Sequence, residues 1–210
     1  MRTLEEILRE SSARHKHLCP RQVLGARMAL HAAELLRIDL PRTDKRLLVT
    51  SETDGCTVDG LIAATGCHVG GRTLRILDFG KVAATFSDTC TATSYRIVPS
   101  PRARSLAFDY ATPARNRWQA MLLGYQVMPA KELFMVQFVG LKVPLNQVIS
   151  SAGRKAVCEH CGEEIINGRE VMENGGTLCR SCAGERYYHL IYPASLLTVG
   201  ADMPLQESES

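Results

Sequence analysis

Four cysteines near the C-terminus constrain the fold of this chain more than any other feature of its sequence. They form two Cys-x-x-Cys pairs with seventeen residues between them: Cys158, Cys161, Cys179 and Cys182. Thiolates two residues apart at a tight turn face the same ion, and this spacing is typical of a tetrahedral zinc site. The glycines that follow, Gly162 and Gly184, suit the chain reversals that such turns require. The spacing disfavours the alternative of buried or disulfide-bonded couples, so we predict a structural zinc ion here.

A site closed by four thiolates has no open coordination position, so it stabilises a small fold and does no chemistry. Between the pairs, GREVMENGGTL predicts a hairpin that turns at Asn174-Gly175-Gly176. The segment from Lys155 to Leu190 holds six glutamates but four lysines and arginines, which disfavours a phosphate-binding surface. We therefore expect this finger to contact a protein partner.

The bulk composition predicts one core domain beside the finger. The chain has 210 residues, of which 45% are hydrophobic and 22% charged. We predict an α+β fold, with a mixed helix and sheet core domain over residues 1–152, a treble-clef or ribbon-like finger over 153–195, and a disordered tail over 196–210. MRTLEEILRESS lacks the apolar stretch of a secretion signal, and no run reaches a membrane span. With zinc-spaced cysteines this predicts a cytoplasmic protein without membrane contact.

Periodicity places the core elements in the order helix, helix, strand, helix and then further strands. Helices are expected over 3–14, from Pro20 to Leu36, and from a cap at Asp54 to a stop at Gly66. Strands are expected in RLLVTSET, TLRILDFGKVAATFS, CTATSYRIVPS and FMVQFVGLKVPL. Another helix is expected from Thr112 to Gly124 and a short one in MPAKELF.

A second group of thiols and imidazoles lies in the core domain. His15, His17 and Cys19 alternate, so an extended segment projects all three from one face. Cys19 precedes a helix, and Cys56 lies in the first turn of another, where the positive helix end favours thiolate. His17, Cys19, Cys56 and Cys67 are the candidate ligands of a second metal site, and Cys19, Cys56, Asp59 and Lys81 are the candidate catalytic residues.

Helix geometry limits that group. If the helix runs to Gly66, Cys56 and Cys67 lie about 16 Å apart, at about 1.5 Å per residue, so they cannot share an ion within one chain. Cys67 then faces another part of the cleft or a second chain, or it is a small buried residue like Cys90. His31, on the apolar face of its helix, is expected in the core.

The same residues resemble a known family. HKHLCPRQVLGARMAL, ETDGCTVDGLIAATGCHVGGRTLRILDFGKVAATF and the Leu-Phe of KELF together are similar to the FmdE family, which is associated with formylmethanofuran dehydrogenase. The resemblance covers about residues 12 to 140, and the finger matches an extension that some members carry. It implies an α+β fold, a homodimer, and a shared cavity lined by His17, Cys19, Cys56, Asp59 and Cys67. One departure is Arg21, where the family typically has glycine, which places a cation near the presumed site.

Two classes of function follow from these features. The first is a metal-dependent or thiol-dependent role, catalytic or accessory, in one-carbon or molybdenum-enzyme metabolism, and the residues leave open whether the chain is an enzyme. The second is a regulatory or partner-binding protein that uses the finger. The stretch from Tyr95 to Lys131 is basic and contains Trp118, but a formal net charge of +3 disfavours nucleic acid as a partner.

Overall fold

The computed structural model describes residues 2–149 and 153–189. The chain divides into two compact units, Met1–Ile149 and Ser150–Ser210. The first unit mixes helices with one five-stranded sheet, and the second holds the four-cysteine module. The α+β prediction is confirmed. The predicted tail over 196–210 lies outside the described residues.

Three helices open the first unit: α1 (Leu4–His15), α2 (Pro20–Leu36) and α3 (Thr57–Thr65). Thr3 caps α1 in a reciprocal capping box with Glu6, and α2 spans the predicted range. The predicted cap of α3 at Asp54 is wrong, because Cys56 occupies that position. The preceding residues form a turn instead, in which the N–H of Gly55 donates to Thr53 Oγ1 at 3.4 Å.

The sheet has the order β2-β1-β3-β4-β5. Its strands are β1 (Leu47–Ser51), β2 (Leu74–Ile76), β3 (Ala84–Asp88), β4 (Ser94–Pro99) and β5 (Phe134–Phe138). β1 and β2 are parallel, and the remaining pairs are antiparallel. The register places Val49 opposite Phe86, and both are fully buried, as is Ile97 of β4. This apolar face of the sheet forms the core with α2.

Four shorter helices complete the first unit: α4 (Ala103–Leu106), α5 (Arg117–Val127), α6 (Ala130–Leu133) and α7 (Leu145–Ile149). α5 begins five residues later than predicted, because the Asn116 side chain caps it by accepting from the N–H of Gln119 at 2.9 Å. Arg27 of α2 donates to the carbonyls of Tyr125, Gln126 and Met128 at the end of α5. Those three bonds hold α5 against α2.

The second unit consists of two hairpins and a helical turn. β6 (Lys155–Val157) pairs with β7 (Glu164–Ile166), β8 (Val171–Glu173) pairs with β9 (Gly176–Leu178), and a helical turn covers Ser181–Glu185. The predicted hairpin turns at Asn174 and Gly175, whose φ angles of 50° and 83° fit a two-residue type I′ turn. The order of hairpin, hairpin and helical turn is that of a treble clef. In the described ranges, no helix has the length and apolar character needed to cross a bilayer.

Candidate metal centre and thiol pair

The four-cysteine site is the best-formed ligand cluster in the part of the chain that the structure describes. All four Sγ atoms lie within 4.8 Å of one another, which is close enough for one ion. The first pair closes the turn between β6 and β7, and the second follows β9 into the helical turn. Gly162 and Gly184 adopt φ angles of 74° and 98°, as the predicted turns require. A set of four soft thiolates fits a tetrahedral divalent metal.

Backbone N–H groups point at these sulfurs. The N–H of Cys179 donates to Cys158 Sγ at 3.2 Å, and the N–H of Cys182 donates to Cys179 Sγ at 3.4 Å. Bonds from the backbone of Cys161 and Cys179 lower the pKa of Cys158 to about 6. Burial and the neighbouring thiols raise the pKa of Cys182 to about 12. Four sulfurs this close cannot all ionise without a cation between them, so the donor set fits a metal.

The thiol pair, Cys19 and Cys56, lies where α2 and α3 begin. Cys19 is the N-cap of α2 and Cys56 is the N-cap of α3. The two side chains interact through a hydrogen bond. Burial, followed by this contact with Cys19, raises the pKa of Cys56, while the charge of Arg21 acts in the opposite direction. The structure therefore brings two of the predicted site residues together, with Arg21 close enough to influence them.

Two glycines make this convergence possible. A Cβ at Gly25 would lie 2.1 Å from the carbonyl O of Thr57, and a Cβ at Gly60 would lie 2.1 Å from the carbonyl O of Gln22. Both distances are far inside van der Waals contact, so only glycine permits the backbones of α2 and α3 to cross this closely. The crossing fixes where the two helix N-termini lie relative to each other.

Gln22 supports the thiol pair, and the functional interpretation of the sequence missed it. It is fully buried, its Oε1 accepts from the N–H of Cys19 at 2.7 Å, and its Nε2 donates to the carbonyl O of Ser11 at 3.1 Å. The spacing Cys19-x-x-Gln22 is that of a capping box and was the available signal. Nearby in sequence, the buried hydroxyls of Ser11 and Thr57 have no hydrogen-bond partner within the described ranges.

The other predicted residues lie at varying depths. His17 is exposed between α1 and α2, and Asp59 is half-buried in the first turn of α3. Lys81 is exposed, but its N–H donates to the carbonyl O of Glu52 at 3.1 Å, four residues before Cys56. Among the described residues, the ligand atoms of His17, Cys19, Cys56 and Cys67 do not form a second cluster as tight as the four-cysteine site.

Cys67 lies beyond the other end of α3 from Cys56. It is fully buried, its Sγ donates to the carbonyl O of Leu47 at 3.5 Å, and burial raises its pKa. Cys90 is exposed, so the expectation of a small buried thiol is wrong there. It lies in the turn between β3 and β4, where its N–H donates to Asp88 Oδ1. His31 stacks on Phe134 and bonds Glu34 at the edge of the core.

Sequence missed one further group, an ion pair that spans the sheet. Arg96 of β4 donates to both carboxylate oxygens of Glu52, at 2.5 and 2.7 Å. Glu52 is 9% exposed, and this bonding lowers its pKa. The pair fixes the segment that leads from β1 to Cys56. The two residues are separated by 44 positions, so no local pattern indicates the contact.

Comparisons with known proteins match this architecture. The family model described as FmdE, molybdenum formylmethanofuran dehydrogenase operon, matches residues 14–135. A probable S-adenosyl-L-methionine-binding protein from Archaeoglobus fulgidus is 27% identical over 206 residues, covering 88% of this chain and 54% of that protein. This chain thus spans about half the length of that relative.

A solved structure shares the fold. It is the crystal structure of an FmdE-like protein of tungsten formylmethanofuran dehydrogenase from Syntrophus aciditrophicus, with a TM-score of 0.56 and 20% identity. The match covers 90% of this chain and 96% of the other.

Proposed function

Because this chain belongs to the FmdE family, we propose that it is a metal-binding protein that serves formylmethanofuran dehydrogenase in one-carbon metabolism. The observation that carries the proposal is the thiol pair, in which the caps of α2 and α3 place two cysteine side chains in contact. Helix N-termini favour negative charge, so both sulfurs lie where a thiolate and a bound cation are stabilised together.

The core site that we propose uses Cys19 and Cys56 with His17 or Asp59 as the further donor. Since these atoms do not converge as tightly as the four finger sulfurs, binding requires rotation of His17 or Asp59, or a donor from a second chain. An ion held by three protein ligands would keep a position open and supply Lewis acidity toward a carbonyl or water. Asp59 and Lys81 are the groups nearest in the chain for moving a proton. The buried position of Cys67 leaves it out of this set.

For the four-cysteine site we propose zinc, which prefers four thiolates in tetrahedral geometry and stabilises small folds of this kind. Its closed donor set assigns the ion a structural role. The alternative function, partner binding, is favoured by the exposed apolar side chains of this unit. Tyr187 is 96% exposed, Met172 66% and Val157 61%. Exposed aromatic and methionine side chains are enriched in protein interfaces.

Metal analysis of the full-length protein tests both sites. Protein purified without oxygen is assayed for metal per chain as wild type and as Cys56→Ser, Cys158→Ser and Cys90→Ser. We expect Cys56→Ser and Cys158→Ser each to lose one ion, from different sites. Cys90→Ser is the matched control, because it removes an exposed thiol away from both sites.

Two results decide between the functions. If Cys56→Ser keeps the wild-type metal content, the core site is not a metal site, and the partner-binding function is favoured. Titration of the same samples with S-adenosyl-L-methionine follows from the description of the archaeal relative. Heat of binding that Cys56→Ser abolishes would place that ligand at the thiol pair.

A further inference from the structure

Strand β5 forms one edge of the sheet and is exposed on both of its faces. β4 is its neighbour, and Met135, Val136 and Phe138 are 46%, 39% and 76% exposed. The segment from Phe134 to Val139 contains no charged residue and no proline, and its pairing with β4 runs without a bulge. Natural proteins protect a free edge with charges, prolines, bulges or short strands. β5 uses none of these devices.

The opposite edge of the same sheet is protected. β2 has three residues, and its Arg75 donates to the carbonyl O of Val148 in α7 at 2.8 Å. A short strand beside a helix offers little to another chain. The two edges therefore differ, and β5 is the edge prepared for pairing.

The register determines which backbone groups of β5 are available. The N–H of Val139 donates to the carbonyl O of Ser94 at 3.0 Å. Because antiparallel ladders alternate, Met135 and Gln137 direct their backbone groups toward β4, whereas Val136 and Phe138 direct theirs outward. The carbonyl of Phe134 also points outward, while its N–H donates to Ala130.

We propose that β5 pairs antiparallel with β5 of a second copy of this chain, about a two-fold axis at Val136. In this register Val136 faces Val136 of the second copy, and the two residues exchange two hydrogen bonds. Phe138 faces Phe134 of the second copy and donates its N–H to that carbonyl, and symmetry repeats the bond. The two sheets become one sheet of ten strands. This inference does not depend on metal binding.

Self-complementarity identifies the occupant as a second copy. The strand has phenylalanine at both ends, valine at the centre and no charge, so the same sequence run in reverse satisfies it. Phe138 would leave water and pack against Phe134 as a cross-strand aromatic pair. At 76% exposure, Phe138 alone offers roughly 150 Å² for burial. The whole strand offers a few hundred Å² per copy, below the roughly 800 Å² of a standard interface, so the dimer is weak and dilutable.

Sedimentation of the full-length protein tests the interface. We expect wild type to pass from dimer to monomer across about a hundredfold dilution around micromolar concentration. Val136→Lys should raise the dimer Kd by about tenfold or more, since like charges would meet at the axis. Val127→Lys is the matched control: that valine is 64% exposed on α5, and its replacement should leave Kd unchanged.

Amide hydrogen exchange gives a readout that does not require a variant. In concentrated protein the outward amides of Val136 and Phe138 should exchange slowly, and dilution should make them fast. The amides of Met135 and Gln137 face β4 and should stay slow at both concentrations. A monomer at every concentration, fast exchange at Val136 within a dimer, or dissociation by Val127→Lys but not by Val136→Lys would each overturn the proposal.

Discussion

Replacing Gly60 by alanine should force α2 and α3 apart and separate the thiol pair. The new Cβ would lie 2.1 Å from the carbonyl O of Gln22 and 2.8 Å from the N of Ala26, whereas ordinary contacts begin at 3.4 Å. The nearest backbones must therefore move apart by about 1.3 Å, because backbone atoms cannot rotate away. Overpacking of this kind costs about 1–3 kcal/mol, and alanine returns about 0.5–1 kcal/mol through its better helix propensity.

The net loss of about 1–2 kcal/mol corresponds to a Tm lower by roughly 3–8 °C for a unit of this size. Thermal unfolding followed by circular dichroism measures it, and the rate at which a maleimide labels Cys56 reports on the thiol pair. Gly140→Ala is the matched control, because nothing lies within 4 Å of a Cβ at that position. If Gly60→Ala melts and labels like wild type, the close crossing does not hold the two thiols together.

Three further predictions concern the ion pair, the buried thiol and the metal. The lowered pKa of Glu52 means that its bond to Arg96 stabilises the fold above the ordinary carboxyl value of 4.5 and is lost as pH falls through the folded value. Glu52→Gln should therefore destabilise by about 1–2 kcal/mol at neutral pH. In urea titrations the difference from wild type should shrink below pH 4.5, and a constant difference would contradict this reasoning. Cys67→Ala should lower stability by about 1–2 kcal/mol through a small cavity yet leave metal content unchanged, and loss of metal would show that Cys67 is a ligand. A strong chelator should collapse the dispersed NMR signals of residues 153–189 and spare those of 2–149, because metal binding is folding free energy for a small four-thiolate unit. Unchanged signals from 153–189 would show that this unit folds without metal.

Local chemistry made several elements predictable from the sequence. Pro20 at the first helical position marks where α2 begins, and Gly66 in the left-handed region ends α3 as expected. Asn174-Gly175 specifies a type I′ turn, and the paired Cys-x-x-Cys spacing indicates the four-cysteine cluster. In each case the determining residues lie within a few positions of the feature that they determine.

Features that depend on contacts between distant segments escaped prediction. Gly25 and Gly60 look like ordinary helix glycines until α2 and α3 are placed against each other, and their role in the thiol pair follows only from that contact. Helix N-termini alone suggested that Cys19 and Cys56 converge, but depth required the fold. The exposure of Cys90 was missed because composition describes how often cysteines are buried, not where one particular turn lies.

The hairpin of β8 and β9 explains why the seventeen-residue spacing is not itself a requirement of the site. The first cysteine pair is attached to the base of this hairpin, where the N–H of Glu159 donates to the carbonyl O of Thr177 at 2.9 Å, and Cys179 follows directly after β9. Asn174 and Gly175 lie at the opposite end, exposed. Matched residues added to both strands at that tip would lengthen the hairpin without moving any sulfur. The tip is therefore the natural place to insert a peptide tag or a spectroscopic label while the metal cluster stays intact.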